Sequence, residues 1–89
     1  MIREKLIISG NVSEGGIRYF AQMNASLLML SGYAKRGPEE TILIEVQGER
    51  ENINKLKEKL KSGNGFFKVT NIESKEIDII KNEKFFSIK

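Results

Sequence analysis

The sequence predicts an α+β sandwich: an antiparallel sheet with two helices on one face, in the order β-α-β-β-α-β with a short fifth strand. Three observations predict it. Two stretches place apolar residues at helical spacing, β-rich runs lie between and around them, and Gly, Pro or Ser-Gly pairs punctuate the junctions. At 89 residues the chain is expected to form one domain, residues 1–89, with a single core. An apolar fraction of 39% with 30% charged residues separates it from disordered sequences.

Leu6–Ser9 is a β-rich run closed by Gly10, the first strand, and Asn11–Gly16 is the loop that follows. Ile17, Phe20, Ala21, Leu27 and Leu28 share one helical face, so the first helix is expected over Ile17–Leu30, with Ser31-Gly32 as its stop. Tyr33–Lys35 is a short second strand, and Gly37-Pro38 marks a turn. In Thr41–Gln47, Ile42, Ile44 and Val46 alternate with Leu43, Glu45 and Gln47, a strand with one buried face. Glu51–Leu60 is the second helix, with Ile53, Leu56 and Leu60 as a narrow stripe and Lys59 and Lys61 at the end favoured by the helix dipole. Ser62–Gly65 reads as a flexible cap and loop, Phe66–Ile72 as the fourth strand, and Phe85–Ile88 as the last. This order is that of the ferredoxin-like sandwich.

Composition narrows the chemistry. With no Cys and no His, disulfides, thiolate nucleophiles, Cys/His metal sites and imidazole bases are excluded, and neither a metal nor a cofactor is expected. Any catalysis rests on backbone amides and Arg, Lys, Asn, Asp, Glu, Ser, Thr or Tyr side chains. No apolar run is long enough to span a membrane, and the run in MIREKLIISG is too short for a secretory signal, so a cytoplasmic protein is expected. A net charge of +3 suits a small anionic ligand without demanding nucleic acid.

The candidate site is KLIISGNVSEGGIRYF, residues 5–20. A strand feeds a glycine-containing loop and then an arginine at a helix start. Loop and helix-start N–H groups converge on one place there, and Arg18 adds a fixed positive fork, the layout of an anion site. A purely structural alternative pairs Arg18 with Glu14 or Glu39 on the surface. Likewise Arg36 reads as either a solvated turn residue or a pocket residue, Gly15-Gly16 as either part of the site or a tight turn, and Asn24 as a packing residue of the helix. Lys55, Lys57, Lys59 and Lys61 spread around their helix as a solvated face. Phe66/Phe67 and Phe85/Phe86 are expected to divide between core and surface, with the exposed members as candidates for a protein-partner surface.

These residues resemble the acylphosphatase family, whose pattern runs approximately SGxVQGVGFRxF, then LGLxGWVRNxxDGxVE, then KGP. Ser9-Gly10-Asn11-Val12-Ser13-Glu14-Gly15-Gly16-Ile17-Arg18-Tyr19-Phe20 matches the first segment, followed by Ala25 and by Leu30-Ser31-Gly32-Tyr33-Ala34-Lys35-Arg36. Gly48 and Lys61-Ser62-Gly63 fall near the remaining signals, so the similarity runs from about Leu6 to Val69. The resemblance implies hydrolysis of acyl phosphates without metal or covalent intermediate. It implies that Ser13, Glu14, Gly15, Gly16, Ile17 and Arg18 hold the phosphate, with Arg18 catalytic. Arg36 stands where the family has a catalytic Asn that orients the attacking water. A guanidinium donates hydrogen bonds and accepts none, so it cannot replace that amide. Glu14 stands where the family has Gly, adding a carboxylate to a phosphate loop, with strain if the backbone there has positive φ. Two functions follow: a slow acylphosphatase-like hydrolase, or a non-catalytic anion- or protein-binding module on the same fold. RNA-recognition modules share the layout but stack bases on aromatics of the central strands, which strand 1 and Thr41–Gln47 lack.

Overall fold

A computed structural model describes all of residues 1–89. The elements are β1 (Ile2–Asn11), α1 (Ile17–Leu27), β2 (Ser31–Arg36), β3 (Ile42–Gly48), α2 (Arg50–Ser62), β4 (Lys68–Ile77) and β5 (Phe86–Ile88), with one 3₁₀ turn at Pro38–Glu40. The sheet order is β4-β1-β3-β2-β5. Its first four strands are antiparallel, as expected, whereas β5 lies parallel to β2 and makes the sheet mixed.

Alternation along the strands sorts the two faces. Leu6 and Ile8 of β1, Ala34 of β2, and Ile42, Ile44 and Val46 of β3 pack with Ile17, Ala21 and Ala25 of α1 and Ile53, Leu56 and Leu60 of α2. Both helices therefore cover one face. Phe67 and Phe86 join this core while Phe66 and Phe85 are exposed, so each pair divides as expected. Asn24 is buried within α1 and donates to the Phe20 carbonyl.

Helix α1 stops three residues before the expected Leu30. Leu30 N–H bonds to Ala25 O at 2.8 Å and Met29 N–H to Ser26 O at 3.1 Å, a Schellman closure. It puts Met29 in the left-handed region at φ 58°, a place usually taken by glycine. The Ser31-Gly32 pair, read as the stop, instead begins β2. β1 also runs past Gly10 to Asn11, because a register shift against β4 between Ser9 and Gly10 lets pairing continue.

The helix-free face carries an unexpected feature. Arg3 is fully buried there. Its Nε donates to Glu45 Oε1 at 2.9 Å, and its Nη1 donates to Glu83 Oε1 at 2.7 Å and to Gln47 Oε1 at 3.1 Å. Gln47 also exchanges two hydrogen bonds with the backbone of Ile80. The 78–85 connection is thus strapped across the open face, and the strap delivers β5 to the edge of β2. Tyr33 completes the cluster by donating to Glu45 Oε2 at 2.6 Å.

The cluster is electrically coupled. Burial pushes the Glu45 carboxyl up, but hydrogen bonds from Tyr33 and Arg3 outweigh it and hold the group below its ordinary value. The bond to Glu45, then burial, push the Tyr33 hydroxyl up to about 12. Stability from Glu45 is present above the unfolded carboxyl value and is lost as pH falls through the lowered folded value. Stability from Tyr33 is complete below its unfolded value of 10.0 and is lost as pH rises through about 12.

Two predictions follow from these features. Arg3→Ala should cost about 3 kcal/mol in urea unfolding, because it strands partly buried carboxylates, and Tyr33→Phe should lessen the extra loss of stability between about pH 10 and 12. Met29→Gly should stabilise by about 0.5–1 kcal/mol, measured the same way, by removing the Cβ penalty of the left-handed cap.

Candidate active site

β1 and β2 both run antiparallel to β3, which lies between them. Their C-terminal ends therefore emerge at the same edge of the sheet. The loop after β1 and Arg36, the last residue of β2, meet there, and Arg36 pairs with Ile42 on the helix-bearing side. A cavity of about 270 Å³ opens at this edge. Val12, Ser13, Glu14, Gly16, Ile17, Arg18, Tyr19, Arg36 and Ile42 line it. A larger depression of about 690 Å³ on α2 is lined by Arg50, Glu51, Asn54, Lys55, Glu58 and Lys59, all polar and all from one helix, so it is a solvated helix face and not a built site.

The loop is shaped from behind. The side of Gly15 on which a side chain would stand faces Phe66 and not the cavity. Its φ is 93°, and a Cβ there would lie 2.3 Å from the Phe66 carbonyl oxygen, so only glycine allows the approach. Asn64 ties the two segments: its Nδ2 donates to Gly15 O at 3.1 Å, while its Oδ1 accepts from Phe66 N–H at 2.8 Å. The connection read as flexible is therefore a brace, and Phe67 next to it packs edge-on against Phe20 of α1. Asn64 escaped the sequence reading because an Asn between glycines looks like ordinary turn chemistry. Gly16, at φ 72°, then turns the chain into α1, and a Cβ there would meet nothing within 4 Å.

The backbone N–H groups of Ser13, Glu14, Gly15 and Gly16 make no turn or loop hydrogen bond. Those of Ile17, Arg18 and Tyr19 open α1, where no intrahelical acceptor exists for them. Together they form an array of free donors at the positive end of a helix. Arg18 is half-buried and reaches across to the backbone oxygen of Lys89, with its Nη1 at 3.4 Å. Arg36 is exposed, with its Nη1 at 3.4 Å from the Ser13 carbonyl oxygen. These long contacts use one donor of the five on each guanidinium. Neither arginine is within ion-pair distance of an Asp or Glu carboxylate, so the surface pairs of Arg18 with Glu14 or Glu39 do not form. Glu14 is exposed and its φ is not positive, so its side chain brings charge to the cavity without backbone strain.

The family model described as Acylphosphatase matches residues 4–88. The chain belongs to the acylphosphatase family. It is 44% identical to an acylphosphatase of Clostridium perfringens over 87 residues, covering 98% of each chain. It is 40% identical to an acylphosphatase of Clostridium beijerinckii, covering 100% of this chain and 99% of the other. The crystal structure of acylphosphatase from Bacillus subtilis superposes with a TM-score of 0.92 at 31% identity, covering 100% of this chain and 99% of that one. The fold and the acylphosphatase-like character expected from the sequence are thereby shown. No helix is long and apolar enough to cross a membrane.

Gly15 and Gly16 make different demands, and an experiment separates them. Gly15→Ala should weaken phosphate binding by about tenfold or more, since the loop must move away from Phe66. Gly16→Ala, with open space around it, should cost about 1 kcal/mol of stability and change affinity much less. Amide shifts during a phosphate titration report both, and in wild type they should concentrate at Gly15–Arg18 and vanish in Arg18→Ala.

Proposed function

We propose that the cavity hydrolyses acyl phosphates slowly, with the phosphate held by Arg18 and the backbone amides of Ser13 to Arg18. The observation that carries this reading is the meeting, in one cavity, of loop and helix-start amides left without backbone partners and Arg18, which has no Asp or Glu partner. A cytoplasmic setting and a small acyl phosphate as ligand are part of the proposal.

The chemistry asks little of the protein. Water attacks phosphorus, the new oxygen–phosphorus bond forms, and the bond from phosphorus to the acyl oxygen breaks. The electron pair leaves on a carboxylate, a weak base that needs no proton donor. One water proton stays on the phosphate as HPO4²⁻ forms, and the other is released to solvent. The transition state is largely dissociative, so catalysis consists of positioning and of stabilising charge on the phosphoryl oxygens. Arg18 and the amides supply that stabilisation without His, Cys or metal. Arg36 is the weak element. It adds charge at the cavity but offers no acceptor for a water proton. Charge that binds substrate and transition state alike does not speed the chemical step.

Arg36→Asn should therefore raise kcat, by about tenfold or more, with KM less affected, because an introduced amide both donates to and accepts from the water. Glu14→Gly should add to the gain by removing a like charge from the phosphate loop. Steady-state hydrolysis of acetyl phosphate measures both. Robust wild-type turnover that Arg36→Asn leaves unchanged would contradict this role of position 36. No turnover in the double variant would make the chain an anion-binding module.

A further inference from the structure

We infer that Arg36 selects acyl phosphates whose acyl chain ends in a second carboxylate, that is, monoacyl phosphates of dicarboxylic acids. The inference rests on the phosphate-binding reading above and concerns what lies beyond the phosphate. Two guanidinium groups from different elements line the same cavity: Arg18 from the start of α1 and Arg36 from the end of β2. The amides left without partners in the loop and at the helix start, together with Arg18, are the groups that the proposed function assigns to the phosphate, so Arg36 is not needed for it. Arg36 keeps four of its five donors free after its single 3.4 Å contact with Ser13 O, and it has no carboxylate within 4.0 Å.

A free planar fork beside a phosphate site matches a carboxylate, which accepts two parallel N–H bonds from it. A second phosphate fits less well, because Glu14 lines the same cavity and leaves only one net positive charge among the three side chains. The volume of about 270 Å³ is just below the range usual for ligand sites, ~300–1,000 Å³, and so suits a short diacid better than a cofactor-sized ligand. Arg36 is exposed, so its contribution is a preference of modest size and not an absolute requirement.

The test is binding of two stable phosphonates of equal chain length to the full chain, 4-phosphonobutyrate and butylphosphonate, followed by amide shifts at constant ionic strength. Wild type should bind 4-phosphonobutyrate about fivefold more tightly, a difference of ~1 kcal/mol. Arg36→Gln should abolish that preference, weakening 4-phosphonobutyrate about fivefold more than butylphosphonate. Lys35→Gln, which removes a charge from the neighbouring exposed position, should retain the preference. Equal affinities in wild type, a preference that survives Arg36→Gln, or equal losses in both variants would overturn the inference. Arg18→Gln separates the two claims. If it weakens both phosphonates while Arg36→Gln changes nothing, only the selectivity fails. If it leaves butylphosphonate affinity unchanged, the phosphate site itself is misplaced and the selectivity falls with it.

Discussion

The backbone contact between Gly15 and Phe66 sets the shape of everything at the site. No side chain fits between them, so the loop after β1 rests directly on the connection that follows α2. Asn64 holds the two together with one bond to each. With its back fixed, the loop keeps its amides free of backbone partners and enters α1 through Gly16, which sets where Arg18 begins its reach. The far end of Arg18 depends on a second constraint. The buried Arg3 guanidinium ties the 78–85 strap to the open face, the strap delivers β5, and the chain beyond β5 brings the Lys89 carbonyl oxygen to Arg18. Gln22 of α1 adds a bond to the Phe86 carbonyl along the same seam. Residues far apart in sequence therefore converge on one guanidinium.

The departures of this chain from its family's pattern fall together. Glu14 and Arg36 come from different elements yet line the same cavity, where they replace a glycine and an amide. One adds a negative charge and the other a positive one, so the cavity's formal charge is that of Arg18 alone. What changes is the distribution. Two fixed positive forks and one carboxylate now surround a space in which the family pattern places one fork and a neutral amide. On the proposed reading, a site altered in this way keeps its hold on phosphate through backbone groups that no substitution removes. On the same reading it loses the group that would both give and take a hydrogen bond at the attacking water.

Much of the fold was legible because local periodicity and global packing agree. The alternation of Ile42, Ile44 and Val46 and the stripe of Ile53, Leu56 and Leu60 are the core-facing positions in the structure. The failures have two causes, a local cap of unusual residue type and partners distant in sequence. The end of α1 was misread because Met29 takes a left-handed cap that residue type argues against. The parallel pairing of β5 depends on a strap held by Arg3, a residue eighty positions from its partner Glu83 and unremarkable in a charged N-terminal segment. At the site, Arg18 and the loop could be picked out from strand, glycines and helix start. The backing role of Gly15 and the brace from Asn64 could not, since neither leaves a local signature.

The central claim is that this cavity, through Arg18, turns over an acyl phosphate. Hydrolysis of acetyl phosphate followed by ³¹P NMR, with wild type and Arg18→Ala measured against the spontaneous rate, tests it most directly. The account predicts a slow wild-type rate that is clearly above the spontaneous one and is lost in Arg18→Ala, while the amide spectrum of the variant stays folded. A wild-type rate equal to the spontaneous one, or a rate that Arg18→Ala leaves intact, would contradict it.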